Sequence, residues 1–404
     1  MNIFTKAYCR TFQCCMRIGL KFIPFREPEV INGLENLPAV IQKDGFTSVI
    51  IVTDNFLHNV GKLIDGLKAD LEAKGIKYVV YDKTVPNPTI GNIEEAFALY
   101  QENGCQAVVA FGGGSPMDCA KGVACRAARP NKTIPQMKGT LKVRKKLPTI
   151  YAIPTTSGTG SEATVAAIVS NPEKHEKYPV QDPVLIPRYA VLDPTLTLGL
   201  PPHITSTTGM DALTHAVEAY IGKSNTDKTR EWAIKATKLI FENLKDVYDD
   251  GSNLKKRKNM QWASFYAGEA FTRAYVGYVH AIAHALGGRY GIPHGLANAV
   301  ILPHVLDYFG ESAYKPLAEL ANAVGIKGAT DEARAKAFIQ AIKDMNAYMN
   351  IPTTIKGIKE EDIPEMVEHS YKEANPLYPV PKFMGRKELT DMYHEIMAPE
   401  EETK

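Results

Sequence analysis

Between Thr47 and Ile153, short β-branched runs alternate with longer amphipathic segments. TSVIIVTD (47–54), KYVVYD (77–82), CQAVVAFGGGS (105–115) and TIYAIP (149–154) read as strands. Their apolar residues are nearly continuous, the pattern of strands buried on both faces. HNVGKLIDGLKADLEAKG (58–75), stopped by Gly75, NIEEAFALYQENG (92–104) and PMDCAKGVACRAA (116–128) have helical spacing, and YAVLDP (189–194) is a later strand. Such alternation predicts an α/β fold built on a parallel sheet.

After LGLPPHITSTTG (198–209) the alternation stops and the chain reads as helices: DALTHAVEAYIG, TREWAIKATKLIFENLKDVY, MQWASFYAGEAFTRAYVGYVHAIAHALGG, GLANAVILPHVLDYFG and YKPLAELANAVG. DDGSNLKKRKN (249–259) reads as a solvated connector. The predicted organisation is an N-terminal extension (1–30), an α/β domain (31–200) and an all-helical domain (201–404). Within the extension, AYCRTFQCCMRIGLKFIPF predicts an amphipathic helix of about four turns, interrupted by Arg10, Arg17 and Lys21. It is read as capping the first domain or forming a subunit contact, which buries an apolar stripe as well as a membrane surface would.

At 404 residues, 45% hydrophobic and 23% charged, the composition is that of a globular protein large enough for two cores. A net charge of +2 implies neither nucleic acid nor membrane as partner. All six cysteines lie in the first third without a CxxC pair, which fits reduced thiols and a cytoplasmic setting.

Chemistry concentrates in VGYVHAIAHALGGRYGIPHG (276–295), which holds His280, His284 and His294 among glycines and small apolar residues. Buried imidazoles need a hydrogen bond, a metal or a substrate. His280 and His284 are four apart and share a helix face, and the Gly/Pro stretch that follows ends that helix and can swing His294 back. Upstream, Asp211 and His215 are also four apart on an apolar segment. Two such pairs can enclose a divalent ion of the Fe or Zn class. GGGS, between a strand and a helix, lets the backbone approach an anion where the helix offers free N–H groups. Asp54 ends a strand, where an acid accepts from ribose hydroxyls and repels a 2′-phosphate, favouring NAD over NADP. PTTSGTGSE (154–162) adds hydroxyls and flexible backbone, and Phe271, nine residues before His280, is read as lining a pocket.

GMDALTHAVEAY, VHAIAHALGGRYGIPHGLANAVILPHV, GGGSPMDCAK and PTTSGTGSE together resemble the iron-containing, or group III, alcohol dehydrogenases, over roughly residues 30 to 390. The resemblance implies a dehydroquinate synthase-like fold, with an α/β dinucleotide-binding domain and an all-α metal-binding domain. It implies Fe(II), or alternatively Zn(II), on Asp211, His215, His280 and His294, with His284 beside the metal and facing the nicotinamide as proton relay. It also implies NAD on Gly113, Gly114, Ser115, Asn87, Thr155, Thr156, Lys177 and Leu196, in addition to Asp54. The expected reaction is hydride transfer between NAD and a primary alcohol or small diol, in a homodimer or larger homo-oligomer. Rival expectations are glycerol dehydrogenase-type polyol oxidation, a dehydroquinate synthase-like lyase, and a non-catalytic metal or nucleotide binder. The chain departs from relatives that carry a cysteine shortly before the Asn375–Pro376 step.

Overall fold

The computed structural model describes residues 1–20, 22, 23, 25–174 and 176–399; Lys21 of the expected N-terminal helix lies outside them. Two compact units result: Ile23–Leu200 with Ser252–Gly268, and Met1–Phe22 with Pro201–Gly251 and Glu269–Lys404. Helix α1 (Ile3–Leu20) opens the chain as part of the second, helical unit. The expectation that it caps the first domain is therefore corrected. Gln13 and Arg10 on its inner side hydrogen-bond to carbonyls of residues 376–381, which fastens the helix to the C-terminal segment.

The α/β unit runs β1 (Glu29–Asn32), α2 (Leu37–Lys43), β2 (Ser48–Val52), α3 (Asp65–Ala73), β3 (Lys77–Tyr81), α4 (Ile90–Glu102), β4 (Ala107–Gly112) and α5 (Gly114–Ala128). β5 (Gly139–Thr140), β6 (Thr149–Pro154), β7 (Ala166–Asn171), β8 (Glu176–Gln181) and β9 (Tyr189–Leu192) follow. Six strands form one sheet in the order β1-β9-β6-β4-β2-β3, and every pair is parallel. The apolar runs are two-sided, as their continuity predicted. Ile50, Val52, Val108, Ala110, Ile150 and Ala152 face α4 and α5, while Val49, Ile51, Val109, Phe111, Tyr151 and Ile153 face the opposite core with Leu37, Ile41, Leu67 and Leu71.

The chain leaves β2 through α3 on one face and leaves β4 through α5 on the other. β2 and β4 are neighbours, so their C-terminal ends flank a topological switch point, where open α/β sheets bind ligands. A smaller sheet, β5-β8-β7, was not read from the sequence. Its β7–β8 hairpin is antiparallel, and Pro179 with the charged and polar residues of EKYPVQ obscures it.

The helical unit contains α6 (Pro202–Ile221), α7 (Asp227–Asp249), α8 (Leu254–Ala274), α9 (Tyr278–Tyr290), α10 (His294–Phe309), α11 (Tyr314–Ala323), α12 (Asp331–Tyr348), α13 (Ile363–Ala374) and α14 (Arg386–Ile396). α6 packs on α7 and α10, and α9 on α10 and α13. Three readings change here. The supposed connector LKKRKN is the start of α8, whose residues to Gly268 belong to the α/β unit; Arg257 is buried there, donating to the Leu200 carbonyl. The segment read as one helix from Met260 to Gly288 breaks at Tyr275, with φ of 67°, so that α9 starts afresh at Tyr278. Gly287 and Gly288 lie inside α9, which ends instead at the left-handed Gly291.

Lys121 on α5 is fully buried, with Nζ 2.8–3.1 Å from Ser161 Oγ, Thr164 Oγ1 and the carbonyls of Thr164 and Ala166. It fastens the segment entering β7 to the main sheet's helix layer. Burial, only partly opposed by Asp118 and Glu162, lowers its pKa from 10.5 to about 8. The unfolded chain then binds the extra proton between these values, so this residue's contribution to stability grows as pH rises through that window. Lys121→Ala should cost about 3 kcal/mol, read as a melting transition roughly 10 °C lower. The cost should be larger at pH 10 than at pH 7; a variant melting with the wild type at both would contradict this role.

Candidate active site

In the helical unit, one ligand atom from each of Asp211, His215, His280 and His294 lies within 4.8 Å of the others. Asp211 and His215 occupy successive turns of α6, from Gly209 to Ile221 a wholly buried stretch. His280 sits in the first turn of α9, and His294 is the first residue of α10. Gly295 makes that last placement feasible. A Cβ there would stand 2.4 Å from the Thr207 carbonyl, so only glycine lets α10 begin against α6.

The orientation of His280 comes from Glu218, one turn beyond His215. Its buried carboxylate accepts from the N–H groups of Gly277 (2.8 Å) and Val279 (2.9 Å), and from His280 Nδ1 (2.6 Å). The same group caps the start of α9 and commits Nδ1, leaving Nε2 as the lone-pair nitrogen facing the cluster. Gly277 is required there, since a Cβ would lie 2.7 Å from Glu218 Oε1. Burial pushes Glu218 up to about 8 against the pull of these donors. Burial also pushes His280 well below its ordinary value, helped by repulsion from His215, His294 and His284.

His280, disfavoured as a cation by its burial, lies beside the buried carboxyl groups of Asp211 and Glu218. The side-chain amide of Asn298, one turn after His294, donates into the middle of the cluster. It reaches Asp211 Oδ1 at 2.7 Å, His294 Nε2 at 3.1 Å and His280 Nε2 at 3.3 Å, so acceptor atoms from three elements converge on one point. Three nitrogens and one carboxylate suit a borderline divalent cation. The donor set thus fits Fe(II) or Zn(II).

Two aromatic rings border the cluster. Phe271 stacks on His215 at 4.1 Å between centroids. His284 stacks on His294 at 5.1 Å, outside the four-residue set, with Nδ1 2.6 Å from Glu373 Oε1. The Tyr378 hydroxyl donates to the same oxygen at 2.7 Å. Burial raises the Glu373 carboxyl, but attraction to His284 and the hydrogen bonds from His284 and Tyr378 outweigh it, and its pKa ends below the ordinary value. Glu218, Asn298, Glu373 and Tyr378 went unread in the sequence. Glu218 had a signal: it follows Asp211 by seven and His215 by three, on the same helix face. Asn298 likewise follows His294 by four.

In the α/β unit, the switch-point crevice gathers most of the remaining candidates. Gly112, with φ of 149°, turns the chain from β4 into α5; a Cβ there would meet Pro116 Cγ at 2.5 Å. Gly113 is the N-cap of α5 with no side chain covering the free N–H groups, and its Cα faces the Thr156 side chain. Gly114 packs on Thr159, and the Thr155 N–H donates to the Gly112 carbonyl. Asp54, beyond the end of β2, accepts the Leu57 N–H at 2.9 Å through Oδ1, a capping contact.

Asn87, at φ of 57°, links two further candidates: its N–H donates to Ser115 Oγ at 3.2 Å and its Oδ1 accepts from Lys177 Nζ at 2.6 Å. Leu196 packs into the core on the α2 and α3 side of the sheet. Asp118 accepts from Ser161 Oγ and the Ile168 N–H, so its visible work is to hold β7.

Several known proteins resemble this chain over most of its length. Residues 30–194 match the family described as iron-containing alcohol dehydrogenase, and residues 205–397 match the C-terminal domain of the Fe-containing alcohol dehydrogenase family. The chain is 39% identical over 345 residues to alcohol dehydrogenase 4 of Schizosaccharomyces pombe, covering 84% of this chain and 81% of that protein. Among solved structures, a 1,3-propanediol oxidoreductase superposes with a TM-score of 0.88 at 34% identity, over 92% of this chain and 99% of the other. A sulfoacetaldehyde reductase from Bifidobacterium kashiwanohense in complex with NAD+ superposes with a TM-score of 0.82 at 28% identity, over 92% and 98%. With both halves of the chain matched and alcohol and aldehyde oxidoreduction common to these relatives, the protein belongs to the iron-containing alcohol dehydrogenase family and is an alcohol dehydrogenase.

Proposed function

We propose that this enzyme interconverts a primary alcohol or small diol with its aldehyde, using NAD as hydride carrier and a divalent ion on Asp211, His215, His280 and His294. The observation that carries the reading is the convergence of those four donors within 4.8 Å on three helices of one unit. Fe(II) is the first choice of ion and Zn(II) the second. When bound, the ion supplies Lewis-acid polarisation of the substrate oxygen.

The chain's own residues do the rest. Glu218 holds His280 in one tautomer and rotation, so its Nε2 stays an acceptor. Phe271 closes the His215 side with an apolar wall that excludes water. His284 has Nδ1 committed to Glu373, leaving Nε2 to exchange a proton with the substrate oxygen. On the α/β unit, the free N–H groups at the start of α5 bind the NAD pyrophosphate next to Ser115, Thr155 and Thr156. Asp54 accepts from the adenosine ribose, and Asn87 and Lys177 border the crevice. An NAD+ complex of a 28% identical structure supports the choice of carrier.

The lyase alternative calls for arginines free to bind phosphate. Arg273 and Arg289, the two near the histidine stretch, are engaged by Glu269 and Asp362.

Four outcomes follow. Anaerobically purified enzyme should carry close to one Fe or Zn per chain and form NADH in proportion to alcohol consumed. His280→Ala should lower both metal content and turnover by roughly 100-fold or more, and a variant with wild-type turnover would sink the metal assignment. Glu218→Gln should keep all four ligands yet weaken metal retention by roughly 10- to 100-fold, measured by competition with a chelator. Asp54→Ala should raise kcat/KM with NADP relative to NAD by about tenfold; an unchanged ratio would remove Asp54 from the ribose site.

A further inference from the structure

Helix α1 precedes the family-matched region, which starts at residue 30, and it turns its polar side toward the protein. Gln13 Nε2 donates to the carbonyls of Pro376 and Tyr378 at 3.0 and 2.7 Å. Arg10 donates to the Pro381 carbonyl, with its guanidinium 4.1 Å above the Phe383 ring. The outward side carries Phe4, Tyr8, Thr11, Cys15 and Ile18 at helical spacing, all exposed. Phe4 is 83% exposed, Ile3 76% and Tyr8 60%, and Phe22 just beyond the helix is 82% exposed. Five of the eleven exposed large apolar side chains among the described residues thus fall within the first 22 of 404. Contiguous apolar surface of this kind marks an interaction site.

Charge selects the occupant. Lys6, Arg10, Arg17, Lys21 and Arg26 precede the first acidic residue, Glu27, so these five cations stand against a net charge of −3 on the remainder of a chain that totals +2. Lys6 and Arg17, both exposed, share one flank of the helix beside the apolar stripe, while Arg10 is turned inward onto the C-terminal segment. A second copy docking through the same stripe would meet it by two-fold symmetry, bringing like charges together. An anionic bilayer surface satisfies both features, because aromatic and aliphatic side chains enter the acyl boundary while cations meet lipid phosphates. No helix among the described residues is long and apolar enough to cross a membrane, so the contact lies in the plane of the surface.

We propose that α1 docks this enzyme on an anionic lipid surface through Phe4, Tyr8, Ile18 and Phe22. This revises the expectation that the stripe is buried in a subunit contact or domain cap, and it is independent of the metal and of the reaction.

The test is flotation of the full chain with vesicles of phosphatidylcholine alone or mixed with phosphatidylglycerol. The protein should float with the mixed vesicles at low salt and not with phosphatidylcholine. Lys6→Gln and Arg17→Gln should each weaken partitioning about fivefold. The double variant Phe4→Ser/Tyr8→Ser should abolish it with melting temperature and helix content unchanged. Absence of flotation with either vesicle, or equal flotation of wild type and double variant, would overturn the proposal. So would a double variant whose oligomeric state falls in lipid-free sedimentation, which would assign the stripe to a second copy.

Discussion

One buried carboxylate, Glu218, determines how the helical unit presents its chemistry. It takes two backbone N–H groups from the start of α9 and the Nδ1 of His280, so the start of the helix and the rotation of the His280 ring are held by a single side chain. A carboxylate buried without a cation is costly, and here that cost appears as a pKa raised to about 8. A divalent ion one imidazole away would offset it. Under the proposed function, a divalent ion would supply that positive charge from outside the chain.

Backbone proximity is the second constraint. Gly295 lets α10 begin against the Thr207 carbonyl, which brings His294 to Asp211, and Gly112 lets β4 turn into α5 over Pro116. In each unit the candidate functional group is a helix start beside a glycine where a side chain would not fit. The α/β unit places its exposed helix start at the crossing of two chain directions, where neighbouring loops diverge and leave a crevice without further carving.

The parallel sheet was readable because burial on both faces leaves unbroken apolar strands, and Asp211, His215, His280 and His294 were readable as chemistry because such residues rarely sit in apolar helices. Which histidine completes the set was not a matter of spacing. His280 and His284 share a face, yet His284 is drawn to Glu373, 89 residues away, while His294 arrives through a turn at Gly291 and a glycine contact invisible in one dimension. The break between α8 and α9 was hidden for the same reason: local propensity favours a continuous helix, and the carboxylate that holds the start of α9 is distant in sequence. The small sheet was hidden because β5 is only two residues long and β8 is half polar with a proline, and the placement of α1 because its contacts reach across more than 360 residues.

Anomalous X-ray scattering at the iron edge, from crystals of the anaerobically purified enzyme, tests the central claim most directly. The account predicts one strong peak about 2.0–2.2 Å from Asp211 and from a nitrogen of each of His215, His280 and His294, with Glu218 still on His280 Nδ1 and His284 unligated. A peak that recruits His284 in place of His294, or metal bound away from these four residues, would contradict it.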